Sequence, residues 1–414
     1  MRKILILSYS NLSTDPRVIR QIDALKDEYS ITASGYNTSD IEGVKNIPIY
    51  IKSKKEINFH SGYPVPFRKA VSLFVKYYLR YEKKAQNKKR KALERSADIN
   101  KRYWTRDRDE YLERLNGEKF DIIIANEIET LPMALRIAGG NSAVILDCHE
   151  YHPLQFEHDE YWVKHSREYV YNLCAEYLNK ADVVFAVSQG IADEYEKNFS
   201  VKPLILTNAT EYNDLKPSET DGNRIKLIHH GAAIKARNLE LMIEMMNHTD
   251  ARFTLDFMLI PTDRDYYEQL KDSLAKNTKV RLIEPVNTKD IPAKINSYDI
   301  GLFILPPVNF NYRHALPNKF FEFVQARLGI AIGPSVEMQK ILNRYDLGIA
   351  AEDFRAKSMA EKLNNLTAER IMEFKQNAHK YSTELSSKNN KELMRLKVRE
   401  LLKCSEIKER SLVN

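Results

Sequence analysis

The stretch ALPNKFFEFVQARLGIAIGPS, residues 315–335, sets an amide, an ammonium and a carboxylate within little more than one helical turn: Asn318, Lys319 and Glu322. Spacings of three and four residues make them neighbours on a helix surface. Phe320, Phe321, Val324 and Leu328 recur at 0, 1, 4 and 8, a single apolar stripe. The helix is expected to begin at Pro317 and to stop at Gly329. Ala315 and Leu316 carry no acceptor, so its first N–H groups have no capping side chain. The preceding IGLFILPP reads as a buried strand, which starts the helix at the carboxyl end of a parallel strand, where open α/β sheets bind ligands. Open N–H groups hold an anion there, Lys319 adds charge, and a carboxylate one turn inside accepts from sugar hydroxyls. That chemistry suits a phosphate joined to a sugar. The competing reading is an ordinary amphipathic helix with a Lys–Glu pair.

A second anion-suited turn lies in HHGAAIKARNLELM, residues 229–242, where Gly231 permits close backbone approach and Arg237 offers a bidentate phosphate ligand. In the N-terminal half, VILDCHEYHP ends a strand with Asp147, His149 and Glu150, and DIIIANE ends its neighbour with Asn126 and Glu127. These are expected at one sheet edge, facing the cleft. A lone histidine is by default a satisfied structural residue, and His152 and His158 read as loop residues.

The elements that must position these groups alternate along all 414 residues. Short apolar runs begin at 3, 31, 47, 121, 143, 182, 203, 225, 253, 280, 300, 330 and 348, with helical patterns between most of them. Such β-α alternation predicts parallel sheets covered by helices. Asp15-Pro16 is an N-cap followed by proline, with Val18, Ile19, Ile22 and Leu25 on one face. The polar stretch 207–224 reads as a linker between a domain at 1–206 and one at 225–385. A charged helix at 386–414 follows, expected to pack back on the first domain. Composition, 43% hydrophobic and 29% charged, is that of a globular protein. No apolar run approaches the roughly 18–20 residues of a membrane span, and the N-terminus reads as a first strand instead of a signal peptide. Cys148, Cys174 and Cys404 lack metal-ligand spacing and fit a reducing compartment.

The motifs DPRVIRQIDAL, DIIIANEIETLPMA, AVILDCHEYHP, ADVVFAVSQGIADEY, HHGAAIKARNLELMI and LPNKFFEFVQARLGIAI, in this order, resemble the GT-B glycosyltransferases, specifically the retaining enzymes of glycosyltransferase family 4. The resemblance implies two Rossmann-like domains with parallel sheets facing a central cleft. It implies that Glu322 holds the ribose of a nucleotide and Arg237 its diphosphate. It places His149 against the donor sugar and makes His149, Arg237 and Lys319 the catalytic set. Ser10, Asn11, Gly231, Pro317 and Asn318 complete the expected donor site. Asn126, Glu127, Glu150 and His314 are candidate sugar or acceptor contacts. The pattern departs from the family at His314, where a first glutamate usually stands, at Ala232, often an arginine, and at SYSNLSTD, which replaces a glycine-rich turn. The branch with LPNK commonly lacks that first glutamate.

The implied activity is retaining transfer of a hexosyl or N-acetylhexosaminyl group from a nucleotide sugar to a glycan or lipid-linked acceptor, in surface polysaccharide synthesis. The nucleotide sugar is substrate and no cofactor is expected. Arg237, Lys319 and the open helix start are expected to neutralise the leaving diphosphate, so no metal is expected either. Two alternatives stand beside it: a nucleotide-sugar 2-epimerase of the same fold, and a noncatalytic GT-B protein binding a glycan or a partner. Charge concentrates in residues 68–108, which carry +11 of a net +7 and leave −4 elsewhere. Val71, Phe74, Val75, Tyr78 and Leu79 make its first part amphipathic. It reads as an anionic-membrane surface helix or a solvated domain helix, and no nucleic-acid motif accompanies the charge. The expected location is cytoplasmic, peripheral on the inner face of the plasma membrane.

Overall fold

The computed structural model describes residues 1–36, 41–49, 98–115, 117–274 and 277–413, without the side chains of 405–413. Two separate parallel sheets organise it. The first contains β1 (Lys3–Asn11), β2 (Ser30–Tyr36), β3 (Val44–Pro48), β4 (Ile122–Asn126), β5 (Ala143–Cys148), β6 (Val183–Ala186) and β7 (Leu204–Ile205), in the order β3-β2-β1-β4-β5-β6-β7. The second contains β8 (Ile225–Ala232), β9 (Phe253–Ile260), β10 (Val280–Ile283), β11 (Ile300–Phe303), β12 (Gly329–Ile332) and β13 (Gly348–Ala350), in the order β10-β9-β8-β11-β12-β13. Strands such as β4 and β12 are buried at every residue, which is why their runs are continuously apolar instead of alternating. Each apolar run in the sequence falls on one of these strands. β3 lies about three residues earlier than its run.

Register decides what shares an edge. Ser8 of β1 pairs with Asn126 of β4, which pairs with Asp147 of β5, so the turns after these strands emerge side by side. In both sheets the strand order reverses, between β1 and β4 and between β8 and β11. Ligands bind at such points in open α/β sheets.

The chain crosses between the sheets twice. Residues 207–224 form no regular element, yet they are firmly held. Asn213 N–H bonds Gln325, the buried guanidinium of Arg327 bonds the carbonyls of Asn213 and Leu215, and Ser218 and Thr220 bond Asn296 and Asp299. The helix Lys388–Val413 returns to the first domain. Its Met394 and Val398 share a core with Ile4, Val18, Ile22 and Ile122, and Arg395 Nε donates to the carbonyl of Ala24 at 2.7 Å. No helix among the described residues is long and apolar enough to cross a membrane.

Arg17, in the first turn of the helix Pro16–Leu25, is buried and grips Asp147 through Nε (2.7 Å) and Nη2 (2.5 Å). The same guanidinium donates to the carbonyls of Leu206 and Thr207, where the first crossing begins. Arg17→Met leaves Asp147 charged and buried without its partner. Urea melts should show a loss of ~3–5 kcal/mol, part of which returns in the double variant Arg17→Met/Asp147→Asn. A loss below ~1 kcal/mol would mean that Gln21, which also donates to Asp147, suffices alone.

Candidate active site

In the second domain the site forms where β8 and β11 part. The helix Asn318–Gln325 starts one residue later than expected, with Pro317 in extended conformation at the N-cap and no side chain capping it. It also ends earlier. Arg327 adopts φ +60° and Leu328 N–H bonds the carbonyl of Phe323, so the stop comes before Gly329, which instead opens β12. Arg327 holds this left-handed turn because its guanidinium also bonds the carbonyls of Val324 and Gln325.

Lys319 lies buried against the Phe303 ring, 4.1 Å from its centroid. Its Nζ is 3.3 Å from Nε2 of His229, whose Nδ1 faces the Leu302 carbonyl at 2.9 Å. A carbonyl only accepts, so Nδ1 carries the proton and Nε2 accepts from Lys319. Burial and then Lys319 hold the His229 pKa well below its ordinary value, consistent with this neutral tautomer. Burial, then Arg237, push the Lys319 ammonium well below the usual lysine range, opposed by Glu322. Both cations approach Gly231. A Cβ there would stand 3.3 Å from Lys319 Nζ and 3.8 Å from Arg237 Nη1, and Gly231 has φ +128°. Two cations thus converge on a backbone position that favours glycine. Arg237 sits in a 3-10 turn, Lys235–Arg237, with Nη1 3.3 Å from the Ala232 carbonyl.

Glu322 is buried, 3.5 Å from Nε2 of His230. Burial raises its pKa to about 7, against Lys319 and Arg20. Arg20 belongs to the first domain, and its Nη2 donates to Asn318 Oδ1 at 3.2 Å. Burial, then Arg17, lower the Arg20 pKa to about 10. Sequence reasoning missed Arg20, His229 and His230. Arg20 sits three residues after Arg17 in the quoted DPRVIRQ, and the histidine pair stands directly before Gly231.

On the first-domain edge, His149 Nδ1 is 3.1 Å from Glu127 Oε1, and His149 N–H donates to Glu127 Oε2. Burial alone would lower the His149 pKa; Glu127 and Asp147 outweigh it and raise it to about 9. His152 is not a free loop residue. It is fully buried with Nε2 2.7 Å from Glu127 Oε2. Glu150 is raised to about 7 by burial and then Glu127. Asn126 does not project into the cleft as expected, because its amide pairs both ways with that of Gln21 at 2.9 and 3.0 Å. Ser10 donates to the capping residue Asp15 at 2.6 Å, and Asn11 accepts from Ser13 in an exposed turn. Both therefore shape the entry to the Pro16–Leu25 helix.

The loop before the 318–325 helix docks on the first domain. Asn311 bonds both the N–H and the carbonyl of Tyr151, and Asn309 Nδ2 meets His158 Nδ1 at 3.0 Å. His314 accepts from Ser188 through its carbonyl. Its ring lies where a side chain at Gly190 would be, 2.0 Å from that Cβ position, and 3.6 Å from Glu337. A glycine at 190 is what lets the ring approach.

No protein-family model matches the chain, and no curated protein matches it in sequence. Solved structures do match over its length. HepE of Anabaena in complex with UDP-glucose superposes at TM-score 0.66 and 11% identity, covering 97% of this chain and 100% of that one. Sucrose-phosphate synthase from Thermosynechococcus elongatus gives 0.70 at 10% identity, with 98% and 100% covered. The α,α-trehalose 6-phosphate synthase of Burkholderia multivorans gives 0.64 at 10%, with 98% and 99% covered.

The raised pKa of Glu322 has a stability consequence. Its folded-state value, about 7, exceeds the ordinary 4.5, so folding disfavours the carboxylate. The cost is absent below pH ~4.5 and complete above ~7, at most ~3–3.5 kcal/mol. Glu322→Gln is expected to raise Tm at pH 8 and leave it unchanged at pH 4.5. An unchanged or lower Tm at pH 8 would mean that Lys319 and Arg20 outweigh burial.

Proposed function

The chain has the GT-B fold, and from that premise we propose that it transfers a sugar from a nucleotide-sugar donor to a glycan or lipid-linked acceptor, with retention at the anomeric carbon. The observation that carries this is the convergence of Lys319 and Arg237 on Gly231 beside an uncapped helix start. Buried Lys319 and half-buried Arg237 repel one another, which is costly until an anion arrives between them. A diphosphate supplies that charge, and Pro317, Asn318 and Lys319 stand at the helix end that would receive it. Glu322, one turn on, is placed for ribose hydroxyls. The barrier in such a transfer is departure of the diphosphate from an oxocarbenium-like carbon, and fixed positive charge at the leaving group lowers it. These cations do what a divalent metal would do, so metal-independent transfer is part of the proposal. His149 and Glu150 stand on the opposite domain for the sugar and acceptor.

The structural neighbour HepE was solved with UDP-glucose, and an α,α-trehalose-phosphate synthase with glucose-6-phosphate, which makes UDP-glucose the first donor to try. Incubation with a panel of nucleotide sugars and acceptors, read by mass spectrometry, should yield a glycosylated product with or without EDTA. An isomerised donor, or no turnover across the panel, would overturn the proposal; loss on chelation restored by magnesium or manganese would overturn its metal-independent part. In calorimetry with UDP, Glu322→Ala should weaken binding by ~2–3 kcal/mol while remaining folded. Unchanged affinity would remove Glu322 from the ribose.

Membrane association through 68–108 is a further part of the proposal. Within that segment, 68–97 lie outside the described residues. The described end is engaged with the protein: Arg102 lies 4.0 Å over the Tyr169 ring and Arg108 3.9 Å over that of Tyr103. Lys101 and Arg106 are exposed but pair with Asp98 and Glu110, so the proposed membrane attraction is assigned chiefly to the lysines and arginines before residue 98. Lys83, Lys84, Lys88, Lys89, Arg90 and Lys91 changed together to Gln should reduce sedimentation with anionic vesicles at low salt, leaving UDP affinity intact. Equal sedimentation would assign the segment to another role.

A further inference from the structure

Glu127 has the backbone φ +69°, ψ 152°. That region is essentially restricted to glycine, and a side chain persists there only where its surroundings hold it. The holding groups are identifiable. Its N–H donates to the Asp147 carbonyl at 2.9 Å. Its Oε2 lies 2.7 Å from Nε2 of the fully buried His152 and accepts from the His149 N–H at 3.1 Å, while Oε1 meets His149 Nδ1 at 3.1 Å. One carboxylate thus clamps the backbone and ring of His149, gripped from the other side by His152. The second ring nitrogen, His149 Nε2, is itself buried and has no hydrogen-bond partner among the described residues, although the ring as a whole is partly exposed. Asp147 Oδ2, at 3.8 Å, is too distant to be one and is already bound by Arg17 and Gln21.

We propose that Glu127 is a positioning residue for His149: its carboxylate holds the backbone N–H and Nδ1 together, so that the partly exposed ring keeps one orientation toward a sugar oxygen and serves as a positive group, not a base. The strain at Glu127 then has a purpose, since a relaxed backbone would swing the carboxylate away from the ring. This rests on the transferase reading for its substrate, a sugar hydroxyl or ring oxygen, but the geometry itself is tested without substrate. The charged groups facing the cluster all act on it. Glu127, Asp147 and Glu150 surround His149, Glu129 lies 4.0 Å from His152 Nδ1, and Arg17 neutralises Asp147. Glu127 and Asp147 favour the doubly protonated ring, whose pKa of about 9 keeps it charged at neutral pH.

Imidazole nitrogen NMR of the full-length free protein decides it, with the His149 signal assigned by its loss in His149→Gln. In the wild type His149 should remain protonated from pH 6 to 8 and titrate near 9. In Glu127→Gln it should titrate at least tenfold more readily, at least one pH unit lower. Glu127→Gly removes the carboxylate and suits the backbone, so it keeps the test open should the glutamine variant fail to fold, and it should show the same downward shift. Affinity for UDP should be unchanged in both, because the nucleotide groups lie on the other domain. An unshifted His149 titration in either folded variant, or a wild-type His149 that is neutral at pH 7.5, would overturn the proposal. If the donor panel shows no turnover, the NMR result still stands and only the transferase reading fails.

Discussion

The Arg17–Asp147 pair is the interaction on which the rest of the site depends. Arg17 brings the start of the first helix onto the end of β5, and its remaining donors hold the carbonyls that open the crossing to the second domain. One guanidinium therefore fixes the edge that bears His149, the helix that carries Arg20, and the first residues of the bridge. Bidentate geometry matters here, since a lysine could not serve carboxylate and carbonyls at once. Asp147 in turn stays ionised. Burial would raise its pKa, and Arg17 and His149 outweigh that and lower it. Its negative charge is one reason the neighbouring imidazole is charged.

The two halves of the cleft use charge in opposite ways. On the first-domain edge, acids and bases alternate from Arg17 through Asp147, His149 and Glu127 to His152, so each group strengthens the ionisation of the next. Across the cleft, Lys319 and Arg237 are of like sign, and His229 and His230 are both held well below their ordinary pKa by burial and then Lys319. The first arrangement sets each charge against one of opposite sign within the protein. The second is opposed within the protein by Glu322 and would be relieved further by an anion, the contrast on which the proposed placement of a diphosphate in the second domain rests.

Much of the architecture was legible. Strand runs, parallel sheets and the existence of the last helix follow from local periodicity, because strands buried on both faces are unmistakably apolar. The anion-suited turns were legible for a similar reason: Gly231 and the LPNK turn are local features. What stayed hidden was pairing across long separations. Nothing near Asn126 announces that Gln21 will take its amide, and nothing near His152 announces Glu127. Arg327 was hidden differently. A non-glycine residue in a left-handed turn contradicts the local preference for glycine, and two of the bonds that hold its guanidinium come from residues more than a hundred positions away in the bridge. His314 became intelligible only once Gly190 was seen beneath its ring.

The return of the Lys388–Val413 helix bears on how the molecule is made. Met394 and Val398 fill a core whose other members, Ile4, Val18 and Ile22, come from the first strand and helix. During synthesis the first domain emerges long before these two residues do. One face of its sheet must wait, apolar and incompletely covered, while the whole second domain is translated. In that interval the nascent chain presents the kind of surface that chaperones bind. The earliest residues reach their final environment only after the second domain has left the ribosome, so the two domains mature together despite having separate sheets.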